Sequence, residues 1–298
     1  MPDRSSSVIA RLRNKSIETG KPLQLYLQLL CQEEFLRRVS MSDYAGNLVL
    51  KGGLFVYAIT NFESRATVDV DFLLRQLPNS IEEVRKVVEN ILVVDTGNDF
   101  ISLIANNFEP ISIHKELTGI SFQMIGRIKN TKTPFSVDFG FGDIIVPGSQ
   151  LRKIPVQLDE FTVPYVMTYS LESTIAEKFE ALLQRMELTS RMKDIYDIFY
   201  LSNSFNFDGW LLQQALGCTL TNRLTAYSNE SLKKVTALAQ SKIIQNRWHQ
   251  FFIRTKLPSV PLAQALAGIS DFLGPVWSAI IDQEVLLKTW SAKEARWQ

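Results

Sequence analysis

With 298 residues, 46% apolar and 21% charged, the chain can bury a sizeable core in one large or two ordinary domains, which excludes a disordered or fibrous protein. A net charge of +1 excludes a global field that would draw the protein to nucleic acid or a membrane, so any basic surface has to be local. The two cysteines, Cys31 and Cys218, are far apart, and the two histidines, His114 and His249, are too few for a histidine-built zinc site.

The cysteines read as buried or incidental thiols of a reducing compartment. No apolar run is read as a membrane span, and Met1–Ser7 lacks the apolar core of a signal peptide, so a cytoplasmic protein with no membrane partner is expected. Residues 7–39 carry a helical pattern through Val8, Leu12, Leu25, Leu29 and Phe35, broken into two helices by Gly20-Lys21-Pro22. Arg11, Arg13, Lys15, Arg37 and Arg38 make this region basic and read as a solvated face.

Leu48-Val49-Leu50 is a short buried strand that runs into Lys51-Gly52-Gly53. Glycines let backbone amides approach a ligand with no Cβ in the way. The helix expected over Leu54–Asn61 would aim its N-terminus at a phosphate. An ordinary Gly-Gly turn would show the same letters. Arg65 can brace carboxylates, touch a phosphate, or be a plain surface arginine.

Val68-Asp69-Val70-Asp71-Phe72 alternates as a strand, with Val68, Val70 and Phe72 on one face and Asp69 and Asp71 on the other. The two carboxylates would stand roughly 7 Å apart along the strand. Like charges so placed suit either a wet face or a cation, and Mg²⁺ takes one or two carboxylates plus substrate phosphates. Ser80-Ile81-Glu82-Glu83 caps a helix reaching about Leu92, and short strands follow at Ile111–Ile113, Ile120–Phe122 and Ile125–Ile128. In Phe135–Phe141 the odd positions are apolar and Asp138 is the only charge. If this strand pairs beside Val68–Phe72, three carboxylates converge, as a two-ion phosphoryl-transfer centre requires. Asp143, just beyond, reads as a turn residue.

Pro147-Gly148, Pro155 and Pro164 end the mixed part, and the pattern is helical thereafter. The expected fold class is α+β, with N-terminal helices and a mixed sheet over residues 1–164 and a helical domain over 165–298. Ser170 caps a helix whose apolar stripe is Leu171, Ile175, Phe179 and Leu182, with Lys178 at its edge. That lysine can snorkel outward or neutralise a triphosphate. Asp194 and Asp197 share a helix face and, by spacing alone, read as part of a surface ion-pair ladder with Lys193.

Taken together, Leu48–Gly53, Thr67–Asp71, Ser136–Asp143, Ala176-Glu177-Lys178 and Arg191–Asp197 resemble the motifs of the AbiEii/AbiGii-type nucleotidyltransferase toxins. These are the toxic partners in type IV toxin–antitoxin and abortive-infection systems, related to the MenT toxins and built on a DNA polymerase beta-like nucleotidyltransferase core. The motifs follow the family order from about residue 48 to residue 200. The resemblance implies that Gly52 and Gly53 lie under the nucleotide phosphates, where the wider superfamily has Gly-Ser. It implies that Asp69 and Asp71 bind Mg²⁺, that Asp138 is the third carboxylate and assists deprotonation of the acceptor, and that Lys178 holds the triphosphate. Asp194 is the carboxylate of the last motif, with Asp197 beside it.

The function so implied is Mg-dependent transfer of NMP from a nucleoside triphosphate to an RNA acceptor, tRNA, with release of pyrophosphate and an antitoxin encoded nearby. A protein or small-molecule acceptor and a non-catalytic nucleotide-binding module are the alternatives. For an RNA acceptor the segment 242–256 offers Lys242, Arg247, Trp248, His249, Phe251, Phe252, Arg254 and Lys256. A helix with core aromatics and solvated cations would have the same composition.

Overall fold

The computed structural model describes residues 4–112, 118–185 and 191–298, which form two compact units, residues 1–142 with 150–168 and residues 143–149 with 169–298. The fold is α+β. In the first unit α1 (Arg4–Thr19) and α2 (Leu23–Met41) are separated by Gly20, whose φ of +68° a β-carbon would resist, and by Pro22 ahead of the first turn of α2. Then come β1 (Leu48–Lys51), α3 (Gly52–Ile59), β2 (Val70–Leu74) and α4 (Ile81–Leu92). Three longer strands follow, β3 (Ile101–Ser112), β4 (Thr118–Ile128) and β5 (Thr131–Gly140), and then β6 (Gln150–Lys153) and β7 (Tyr165–Thr168).

Among the described residues these strands make one seven-stranded sheet in the order β3-β4-β5-β2-β1-β7-β6. β2 is parallel to β5 and β1 to β7, and the other pairs are antiparallel. Across the middle of the sheet Leu50, Phe72, Phe139 and Ile120 stand in one register row and are all buried. Edge-to-face contacts run from Phe35 of α2 to Phe72 (6.1 Å), from Phe72 to Phe139 (5.9 Å) and from Phe139 to Phe122 (5.3 Å). Each fully buried phenylalanine contributes about 1.5–3 kcal/mol, so this row anchors the sheet, while the opposite face carries both the buried pair Val49 and Leu73 and, at the strand ends, polar groups.

Several expectations need correction. The strands expected at 120–122 and 125–128 are one strand, β4, because ten residues of β5 pair with it without interruption. The third residue of the segment expected at 111–113 lies outside the described residues. Val68 is not on the core face. It precedes β2, and its side chain is 56% exposed. Arg37 is not solvated. It is buried, pairs with Glu34 at 3.1 Å and stacks 4.9 Å over the Phe161 ring, since α2 is covered on nearly all sides.

The second unit contains α5 (Leu171–Arg185), α6 (Met192–Ser204), β8 (Phe207–Asp208), α7 (Gly209–Asn222) and α8 (Ser231–Thr236). A 3₁₀ turn, α9 (Lys242–Thr255), α10 (Leu262–Asp282), β9 (Thr289–Ser291) and β10 (Arg296–Trp297) complete it. It is not wholly helical, because β8, β9 and β10 form a small antiparallel sheet. Trp290 and Trp297 of that sheet pack on Phe272 of α10. Against expectation, α10 is long and apolar enough to cross a membrane by length and composition alone. Its stripe Ala265, Leu266, Ile269, Phe272, Leu273 and Val276 is fully buried within the unit, which accounts for that composition as core.

Candidate functional site

The polar face of the sheet is built by register. Asp71 pairs with Lys51 across β1, Asp71 with Asp138 across β5, and Asp138 with Ser121 across β4. Residues paired in register on neighbouring strands share a face. One row therefore carries a cation, two carboxylates and a hydroxyl, directly behind the apolar row Leu50–Phe72–Phe139–Ile120. Neighbouring strands are about 4.8 Å apart, so Asp71 and Asp138 are close like charges, both half-buried. Ser121 donates its hydroxyl hydrogen to Asp138 Oδ1 at 2.6 Å. Lys51 and Ser121 are site residues that the sequence reading missed. The alternation of β4 was the only signal for Ser121, and Lys51, which ends the wholly buried β1, had none.

The glycines shape this row as well as the turn. Gly52 has φ +69°, and a β-carbon there would fall 1.9 Å from Asp71 Oδ2. The missing side chain is thus the space the Asp71 carboxylate occupies. A β-carbon on Gly53 would lie 2.9 Å from Thr67 Oγ1 and 3.3 Å from an Arg65 nitrogen, so the buried Arg65 and the half-buried Thr67 pack against that glycine. α3 begins at Gly52 itself, two residues before the helix expected from sequence. Its first amides lack helical acceptors by geometry.

Asp69 lies one residue ahead of β2 and is half-buried. Thr67 Oγ1 accepts from its amide at 3.4 Å. The carbonyl just before it, that of Val68, accepts from Gln28 Nε2 and Gln32 Nε2, each at 3.0 Å.

In the second unit Lys178 does not snorkel, and Asp194 and Asp197 are no surface ladder. All three are buried, and Lys178 Nζ donates to Asp197 Oδ2 at 2.6 Å and to Asp194 Oδ1 at 3.2 Å. Arg191 flanks Asp194 at 3.5 Å. Asp143 is also no turn residue at the surface. It meets Arg223 at 2.9 Å, and Arg223 reaches Glu177 and Glu180 at 3.0 Å each. Burial opposes the Arg223 charge, but Glu177, Asp143 and Glu180 outweigh it and raise its pKa. Burial first, and then Glu177, whose Oε1 accepts the Tyr169 hydroxyl at 2.6 Å, push that phenol well above its usual range. No spacing rule joins Asp143 to Arg223, so this cluster had no signal in the sequence.

The family profile described as "Nucleotidyl transferase AbiEii toxin, Type IV TA system" matches residues 34–269. No curated protein matches this sequence. Among solved structures, JHP933 from Helicobacter pylori is similar at 9% identity, over 85% of this chain and 91% of that one, with a TM-score of 0.46. An H. pylori protein provisionally named a nucleotidyltransferase is similar at 11% identity, over 86% and 96%, with a TM-score of 0.42. With the profile spanning most of its length, including the glycine turn and every candidate carboxylate, the chain belongs to the AbiEii nucleotidyl transferase toxin family of Type IV toxin–antitoxin systems.

Proposed function

We propose that this protein transfers the NMP part of a nucleoside triphosphate to a hydroxyl of an RNA acceptor, tRNA first, in the cytoplasm, and releases pyrophosphate. Membership of the family implies a nucleotide substrate and an antitoxin partner. The observation that carries the proposal is the row Lys51–Asp71–Asp138–Ser121 beside a glycine whose absent side chain leaves room for the Asp71 carboxylate.

Nucleotidyltransferases of this family generally use a divalent metal. Among the described residues no three His, Cys, Asp or Glu side chains form a ready metal cage. A donor set of Asp69, Asp71 and Asp138 is nevertheless chemically suited to Mg²⁺, which completes its shell with phosphate and water. When bound, the ion would neutralise the triphosphate and the departing pyrophosphate.

The chain's own residues supply the rest. The acceptor oxygen attacks the α-phosphorus, the bond from that phosphorus to the bridging oxygen breaks, and the hydroxyl proton passes to Asp138. The Ser121 hydroxyl holds that carboxylate in one orientation, and Lys51 offsets the charge of Asp71. Amides at Gly52 and Gly53 receive phosphate oxygens, with Arg65 packed behind them. Lys178, fixed by Asp194 and Asp197, is proposed to serve the triphosphate charge. Most of the rate then comes from positioning and charge stabilisation.

Support for an RNA acceptor is local charge. Residues 231–270 hold six Lys or Arg and no Asp or Glu. All six, Lys233, Lys234, Lys242, Arg247, Arg254 and Lys256, are exposed. Two aromatics of α9 cannot stack on bases, because Trp248 and Phe252 are buried and Trp248 Nε1 donates to the Val260 carbonyl at 2.7 Å, and the half-buried Phe251 packs against both. The surface therefore suits the phosphate backbone rather than the bases.

The test incubates the purified chain and Mg²⁺ with each α-labelled nucleotide and, separately, total RNA, protein extract or aminoglycosides. Label in RNA, lost in Asp69→Ala and Asp71→Ala, is expected. Label in protein or antibiotic would replace the acceptor, and nucleotide binding with no transfer at all would overturn the enzymatic reading.

A further inference from the structure

Asp69 stands outside the ladder that fixes its partners. β2 begins at Val70, and its pairing with β5 starts at Val70 and Val137. Nor does its neighbour anchor it, since the Val68 side chain is 56% exposed. The N–H of the Val68–Asp69 peptide makes only the 3.4 Å contact to Thr67 Oγ1, and its carbonyl is gripped by α2. Gln28 and Gln32 lie one helical turn apart, are 5% and 1% exposed, and each sends Nε2 to the same Val68 carbonyl at 3.0 Å.

A carbonyl oxygen has two lone pairs, and here both are used. The amide orientation follows from the acceptor, because either glutamine turned over would set oxygen against oxygen. The arrangement also has a cost. Gln32 Oε1 is buried with no hydrogen-bond partner, and an apolar side chain at this position would avoid it. Beside the buried Leu29, Leu30 and Phe35, the same helix carries two amides aimed at one point.

We propose that Gln28 and Gln32 are positioning residues that lock the Val68–Asp69 peptide and so hold the Asp69 carboxylate beside Asp71 for the cation and the nucleotide phosphates. This rests on reading Asp69 as a ligand. The β-ladder fixes Asp71 and Asp138, whereas the peptide before Asp69 is held by the two glutamines at its carbonyl and by the longer Thr67 contact at its amide. Outer contacts of this kind typically change metal affinity by about 10–100-fold when lost.

The test measures Mn²⁺ binding to the full chain by electron paramagnetic resonance, without nucleotide, so turnover is not the readout. Gln28→Met and Gln32→Met keep side-chain length and remove the donor. The double variant is expected to bind Mn²⁺ at least about ten-fold more weakly, each single variant less so, with a melting temperature close to the parent's. Asp69→Ala, measured alongside, is expected to lose more affinity than either single variant. Parent affinity in the glutamine variants, with Asp69→Ala impaired, would overturn the positioning role alone. A lowered melting temperature with unchanged Mn²⁺ affinity would also overturn it, since that is a packing role only. Parent affinity in Asp69→Ala would remove the ligand reading itself. Should the double variant fail to fold, the single variants decide.

Discussion

The two units treat charge in opposite ways. On the sheet of the first, two carboxylates sit side by side, half-exposed, with their flanking groups Lys51 and Ser121 outside the pair. Within the second, charges are buried and matched: Lys178 with Asp194 and Asp197, and Arg223 with Asp143, Glu177 and Glu180. Adjacent like charges weaken a sheet, whereas buried pairs hold together only while both partners remain. On the function proposed above, the first arrangement gives up stability for a place to put a cation and phosphate. The second keeps its helices in register and fails if one partner is lost.

Substitutions should therefore separate the units by the sign of their effects. Asp71→Asn is expected to lower nucleotide transfer by roughly a thousand-fold or more, about 4 kcal/mol. Relief of repulsion should leave stability unchanged or raise it by up to about 1 kcal/mol. Label transfer and a denaturant melt on the same preparation check both halves, and a large loss of stability would break the contrast. Arg223→Met should do the reverse, costing about 3–5 kcal/mol of stability because three carboxylates lose their cation. Chemical denaturation measures that, and a cost below 1 kcal/mol would make the cluster as dispensable as a surface pair.

Glu33 tests whether every buried charge in the first unit is matched. Burial, only partly offset by Arg37 and by the Gln157 amide, pushes its carboxyl up to about 7. A folded-state pKa above the unfolded value means the native state binds the extra proton, so this group's contribution falls as pH rises from about 4.5 to 7. Glu33→Gln should then stabilise the protein at pH 8, by at most roughly 3 kcal/mol, and change little at pH 4. Melting curves at the two pH values check the sign. The smallest effect is expected at the exposed cations of α9 and its C-terminal cap. Arg247→Gln with Arg254→Gln and Lys256→Gln should weaken RNA binding roughly ten-fold at low salt and flatten its salt dependence, with stability unchanged. Filter binding across a salt series reads both.

Much of the geometry of the candidate site was legible because strand alternation is a strict period of two. It put Asp138 opposite Phe135, Val137 and Phe139, and put Asp71 opposite Val70 and Phe72. Alternation could not show that Asp69 lies beyond the strand end, because the pattern continues through Val68 although the ladder does not. Helix spacing located Lys178 at the edge of its stripe but could not say whether the edge was wet. The packing of α5 and α6 decided that it was dry.

The sequence by itself determined the α+β class, the break between the first two helices, the two aspartate-bearing strands and the family, since these depend on local period, on glycine and proline stereochemistry and on linear motif order. Only the tertiary structure decided which side chains meet: Ser121 with Asp138, Asp71 in the space left by Gly52, Arg223 with three carboxylates, and two glutamines on one carbonyl. Those contacts join residues far apart in the chain. Their partners are chosen by strand register and helix packing, which no local period encodes.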